Sequence, residues 1–151
     1  MCGITGYIDF NKKSTTGVLE QMTTTLAHRG PDGSGIQEIN HATAQIGFGH
    51  RRLSIIDLTE TGKQPMQLNE NWICFNGEIY NHSEIRQKLE LVGHVFKGTS
   101  DTEMILHAYT EWGVKCVDHF IGMFAIALYD HALNSVIFIR DRAGVKPLFY
   151  Y

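Results

Sequence analysis

The segment GMFAIALYD-HALN-SVIFIRD, residues 122–141, reads as two strands flanking a short polar turn. Aliphatic and aromatic residues crowd both arms, and the connection between them has hairpin length. A hairpin commits this part of the chain to antiparallel sheet. Working outward, the same reading predicts strands at residues 3–10, 44–50 and 52–57. It also predicts a strand that starts at Trp72 and breaks at Asn76-Gly77, the commonest hairpin-turn dipeptide. Helical spacing relates Val18, Leu19, Met22 and Leu26 in residues 15–27, and Ile85 and Leu89 in residues 83–92. SDTEMILHAYTEWG opens with Ser100 and Glu103 in capping-box spacing and continues through Ile105, Ala108, Tyr109 and Trp112. HRGPDGSG, residues 28–35, reads as loop, because Gly and Pro break both regular patterns. Strands therefore come in groups separated by helices. That favours an α+β class with antiparallel sheet and segregated helices over a parallel doubly wound fold.

The 151 residues suffice for one domain with a sizeable core. A hydrophobic fraction of 43% and a charged fraction of 19% are those of a globular protein. The formal net charge of −3 gives no reason to expect a nucleic-acid or anionic-membrane partner. No apolar run approaches a membrane span, and no basic-then-apolar leader opens the chain. The three cysteines, Cys2, Cys74 and Cys116, form an odd set without metal-type spacing, which fits a reducing cytoplasmic setting. The eight histidines are scattered, so no metal site is expected.

Chemistry-bearing residues stand at five places. The chain opens MCGITGYIDF. If Met1 is removed, Cys2 carries a thiol and a free α-amine on one carbon. An α-amine has a pKa near ~8 and can take the thiol proton, so one residue could be nucleophile and base together. Equally, a second-position cysteine is a small buried hydrophobe. In FNGEIYN, Asn76 and Gly77 read as a turn, or as a side-chain amide beside a backbone N–H of the kind that stabilises an oxyanion. Arg52, in GHRRLSIIDL, is either a solvated strand-end residue or a fork for a carboxylate. Asp101, in TSDTE, either complements the helix dipole or receives an ammonium group. HRGPDG carries a Pro-Asp-Gly turn. Taken together, a nucleophile, oxyanion donors and two opposite clamps match an amino acid bearing a side-chain amide, such as glutamine.

MCGI, HRGPDGSG, GHRRLSIIDL, FNGEIYN, SDTE, IGMFAIALYD and RDRAGVKPLFY, in this order over essentially the whole chain, resemble the class II glutamine amidotransferases. The likeness is nearest to the glutaminase domain of glutamine-hydrolysing asparagine synthetases. The resemblance implies an N-terminal-nucleophile (Ntn) hydrolase fold, a four-layer αββα sandwich of antiparallel sheets. It implies hydrolysis of glutamine to glutamate and ammonia through a γ-glutamyl thioester on Cys2. Asn76 and the Gly77 N–H would form the oxyanion hole. Arg52 would hold the glutamine carboxylate, with the backbone near Ile55 and Ile56 lining the pocket. Asp101 and Glu78 would receive the α-ammonium, and Arg29 would support the nucleophile from behind.

Family members continue past PLFYY into further sheet and helix and then an ATP-using synthetase domain. Residues 1–151 are accordingly read as an incomplete glutaminase domain, a fragment or a stand-alone glutaminase-like protein. No cofactor is expected in this chain, since it has no Gly-rich phosphate loop; ATP and magnesium belong to the absent synthetase domain. An ammonia acceptor domain or subunit is the expected partner. Two other readings of the same residues remain: an N-terminal-cysteine amidase for another amide, and a non-catalytic glutamine-binding or interaction module.

Overall fold

In the computed structural model, which describes residues 2–53 and 62–151, the chain runs β1 (Gly3–Asp9), α1 (Thr16–Thr25), β2 (Gly33–Asn40), β3 (Gln45–Arg52), β4 (Met66–Leu68), β5 (Asn71–Ile79), α2 (His82–Leu91), α3 (Asp101–Trp112), β6 (Gly122–Asp130) and β7 (Ser135–Arg140). Short 3₁₀ segments lie at Ala27–Arg29 and Gly113–His119. One sheet has the order β1-β3-β2 and the other β4-β5-β6-β7, and every pairing is antiparallel. The hairpin of residues 122–141 forms as read, with Asn134 at φ 48° closing its turn.

Four layers result. α1 packs on the outer face of the first sheet through Leu19 and Thr23. α2 and α3 cover the outer face of the second. There Ile85, Leu89, Met104, Ile105 and Ala108 meet Ile73, Phe75, Ile126 and Leu128 in one core. Between the sheets, Ile46, Phe48, Cys74, Ala127 and Tyr129 form a second core, joined by Ile4, Trp72 and Val136. β6 is buried on both faces from Phe124 to Asp130, because it is sandwiched between the first sheet and the helices. The αββα sandwich is therefore the architecture of the chain.

Local signals explain most of the elements. Ser100 caps α3, its hydroxyl accepting the Glu103 N–H at 3.2 Å. The other half of the capping box does not form. The Glu103 carboxylate instead accepts the N–H groups of Lys97 and Gly98 at 2.7 and 2.8 Å, which binds the α2–α3 connection to the start of α3.

Two expectations are corrected. β5 does not break at Asn76-Gly77 but runs to Ile79 in continuous register with β6. The glycine serves close approach rather than a turn: a Cβ at Gly77 would run into the Met123 carbonyl and the Phe124 backbone. The 28–35 segment is not all loop, since β2 begins at Gly33 and pairs with β3 from Gly33↔Arg52 onward. The expected 52–57 strand overlaps β3 only at Arg52, and residues 54–57 lie outside the described residues.

Candidate active site

Side chains two apart on a strand share a face. Ile4, Ile46, Phe48 and Cys74 mark the faces of β1, β3 and β5 that look into the inter-sheet layer. By that alternation Cys2, His50, Arg52, Asn76 and Glu78 are turned toward the same layer. The β1–β3 register pairs Ile4 with His50 and Gly3 with Arg51, so one further step sets Cys2 against Arg52. The apolar part of the layer thus gives way at one end to a cluster of polar and reactive groups.

The Cys2 thiol lies against the backbone of Leu53, accepting its N–H at 3.4 Å, with the carbonyl 3.6 Å away. Cys2 is half-buried, whereas Cys74 and Cys116 are buried. Burial raises the thiol pKa of both buried cysteines, that of Cys116 to about 12. Neither can supply a thiolate near neutral pH, which leaves Cys2 as the chemically available sulfur. Arg29, in the 3₁₀ turn, packs against Gly3, the next residue along the chain from Cys2: a Cβ at Gly3 would sit 3.3 Å from the Arg29 Cβ and 3.0 Å from that of Leu26. Arg52 closes β3, and its carbonyl accepts the Asp32 N–H at 3.0 Å, joining the HRGPDG turn to the strand end.

Asn76 is 6% exposed, and its side-chain amide makes no hydrogen bond among the described residues. Alternate backbone amides of a strand point to opposite edges. The Phe75 and Ile79 N–H groups leave β5 on the edge away from β6, so the Gly77 N–H between them does too. β4 has already ended there, having paired only with Asn71–Ile73. The Gly77 N–H, next along the chain from the Asn76 side chain, therefore stands on a part of β5 that no strand of the described residues covers.

Asp101 is docked beside this edge, its carboxylate accepting the Ile79 N–H at 3.3 Å. Burial raises its pKa to about 6; the Ile79 hydrogen bond pulls it down and the nearby Glu78 charge pushes it up. Two carboxylates in one place, one of them desolvated, suit a cation. Among the described residues there is no group of three or more metal-ligating side chains. Ile55 and Ile56 lie outside the described residues.

Two further residues are not singled out by the sequence reading. His50 is 1% exposed, and neither ring nitrogen has a hydrogen-bond partner among the described residues. Burial, reinforced by the Arg52 charge, lowers its pKa to about 4, so it is a neutral imidazole beside the cluster. Gln64, 8% exposed, donates to the Thr102 hydroxyl at 3.0 Å and accepts the Phe75 N–H at 2.6 Å. Its partners are remote in sequence, so no local pattern points to it.

The sequence profile of the glutamine amidotransferase domain matches residues 1–151. Asparagine synthetase [glutamine-hydrolyzing] 3 of Bacillus subtilis (strain 168) is 45% identical over 156 residues, covering 99% of this chain and 25% of that protein. Putative asparagine synthetase [glutamine-hydrolyzing] 2 of Methanocaldococcus jannaschii is 40% identical over 167 residues, covering 100% and 32%. Amidase chyE of Penicillium rubens is 36% identical over 164 residues, covering 99% and 24%. The chain spans about a quarter to a third of the length of these relatives. Among solved structures, the glutamine phosphoribosylpyrophosphate amidotransferase of B. subtilis superimposes with a TM-score of 0.64 at 19% identity, over 83% of this chain and 34% of that one. At that identity the likeness is one of fold.

Proposed function

The chain belongs to the glutamine amidotransferase domain family, and from that premise we propose that it hydrolyses glutamine to glutamate and ammonia with Cys2 as nucleophile. The observation that carries the reading is the placing of Cys2. It is the one half-buried thiol of the three, and it lies at the polar end of the inter-sheet layer toward which Arg52, Asn76 and Glu78 are turned.

Removal of Met1 frees the Cys2 α-amine, which takes the thiol proton. The thiolate attacks the side-chain amide carbon of glutamine, forming a carbon–sulfur bond. The carbonyl oxygen becomes an oxyanion, which the Asn76 amide and the Gly77 N–H stabilise as preorganised donors. Collapse breaks the carbon–nitrogen bond, and ammonia leaves with the proton returned from the α-ammonium. Water then adds to the thioester, helped by the same amine, and glutamate departs as the sulfur–carbon bond breaks. Arg52 holds the substrate carboxylate, Asp101 and Glu78 its ammonium, and Arg29 backs the nucleophile. No cofactor takes part in these steps. The ammonia passes to an acceptor domain or subunit; in an asparagine-synthetase-like assembly that partner would carry the ATP and magnesium chemistry.

The test is direct. The Met1-free chain is incubated with glutamine, and glutamate and ammonia are measured for the wild type and Cys2→Ala. Equimolar products that disappear in the variant support the proposal. Turnover that survives Cys2→Ala overturns it.

A further inference from the structure

We infer that Gln64 is a positioning residue that sets the distance between the carbonyl end and the ammonium end of the glutamine pocket, and through it the length of amide the pocket accepts. The inference rests on the glutaminase reading above.

β5 carries Asn76, Gly77 and Glu78 on a stretch where, among the described residues, no strand supports its outer edge. That stretch is tied to the start of α3 at both ends. At one end the Gln64 side chain takes the Phe75 N–H at 2.6 Å and gives a hydrogen bond to the Thr102 hydroxyl at 3.0 Å. At the other, Asp101 takes the Ile79 N–H at 3.3 Å. The two ties bracket the three β5 residues assigned to the substrate. Phe75 is the neighbour of Asn76 in the chain, and Thr102 is the neighbour of Asp101. Gln64 therefore links the residue beside the oxyanion donor to the residue beside the ammonium acceptor.

The choice of side chain follows from the two partners. An N–H needs an acceptor and the Thr102 oxygen is offered a donor, and a primary amide presents both from one carbon. The backbone of Gln64 is itself pinned. A Cβ at Gly35 of β2 would run into the Gln64 carbonyl, so the residue is wedged between the first sheet and the β5–α3 junction. Removing the amide leaves a buried N–H without its partner, on an edge that no strand of the described residues covers. The span from Asn76 to Asp101 is then free to relax.

Glutamine and asparagine differ by one methylene, so the span decides between them. A single methylene is worth about 10–200-fold in discrimination, and small misplacements weigh heavily on a positioned reaction.

The full chain, freed of Met1, is assayed on glutamine and on asparagine as wild type, Gln64→Met and Thr102→Val. Cys2 alkylation by iodoacetamide is followed alongside. Gln64→Met should lower kcat/KM for glutamine by about 10–100-fold. Asparagine hydrolysis should change far less, so the preference narrows, while the alkylation rate stays within about twofold of the wild type. Thr102→Val should shift the preference in the same direction by less, and it decides alone if Gln64→Met does not fold. A wild type that hydrolyses neither amide overturns the glutaminase reading and this inference with it. An active wild type whose preference is unmoved in the folded variants overturns the inference only. So does an equal fall with both amides, which marks Gln64 as merely structural.

Discussion

The Asp101 carboxylate accepts the Ile79 N–H at 3.3 Å while only 7% exposed, which joins the first residue of α3 to the last of β5. Burial raises its pKa to about 6, so the proposed ammonium acceptor loses its charge just below neutrality. The KM for glutamine should therefore rise as pH falls through about 6, with kcat changing less. Asp101→Asn should show a high KM at every pH and no such inflection. A wild-type KM that stays flat across this range would remove Asp101 from the ammonium site.

His50 and Asp101 act on stability with opposite signs. His50 has a pKa lowered to about 4, so in the unfolded chain it takes up protons that the native state refuses. Its contribution is complete above its ordinary pKa and is lost as pH falls from about 6.5 toward 4. Asp101, with its pKa raised, binds a proton more readily when folded, and its ionisation weighs against folding as pH rises through about 6. His50→Leu, which removes two unpartnered buried nitrogens, should raise the thermal midpoint. The gain should be larger at acid pH than at neutral pH, where the imidazole is already uncharged. A gain that does not grow toward acid would show that His50 titrates normally in the folded chain.

Asn76 lies mid-strand, and its side-chain amide makes no hydrogen bond among the described residues. Asn76→Ala should lower kcat by about 10²–10³-fold, the effect of removing one oxyanion donor. KM should move little, because the donor acts on charge that appears only in the transition state. Steady-state kinetics on glutamine decide this. A raised KM at unchanged kcat would make Asn76 a substrate contact.

The role proposed for Arg52, holding the substrate carboxylate, is separate from the chemistry proposed for Cys2. Losing the charged partner of a desolvated carboxylate weakens binding by about 2–5 kcal/mol. Arg52→Ala should depress kcat/KM for glutamine to that degree and leave Cys2 alkylation nearly unchanged. Equal loss of both in a folded variant would cancel the assignment of Arg52 to the carboxylate.

Which parts of this were legible in the sequence follows from the range of the forces involved. The 122–141 hairpin and α3 announce themselves because alternation, a four-residue turn and the Ser100–Glu103 cap are local. β2 was hidden because Gly33 and Gly35 look like loop. Gly35 is in fact required by the Gln64 carbonyl, which arrives from another part of the chain. The Asn76-Gly77 dipeptide pointed to a turn for the same reason: the close approach of β6 that makes Gly77 necessary is a tertiary fact. Cys2, Arg52, Asn76, Glu78 and Asp101 were nameable from motif chemistry. Their convergence depends on the β1–β3 register and on the packing of the two sheets. His50 stands inside GHRRLSIIDL but is marked out only by its burial, and Gln64 lies outside the quoted motifs and is marked out by partners in distant segments.

The position of Cys2 makes the final prediction. With Met1 attached, the Cys2 nitrogen is an amide and cannot accept a proton, so the thiol loses the only base the proposed reaction gives it. The small Cys2 side chain and Gly3 suit removal of a methionine standing before them. The Met1-bearing chain should therefore be inactive on glutamine, while the trimmed chain reacts with a glutamine-like electrophile at Cys2. Intact mass and peptide mapping of both forms after exposure read this out. Cys74 and Cys116 should stay unlabelled, because burial keeps both thiols protonated. Label on either of them, or efficient turnover with Met1 in place, would refute the N-terminal nucleophile.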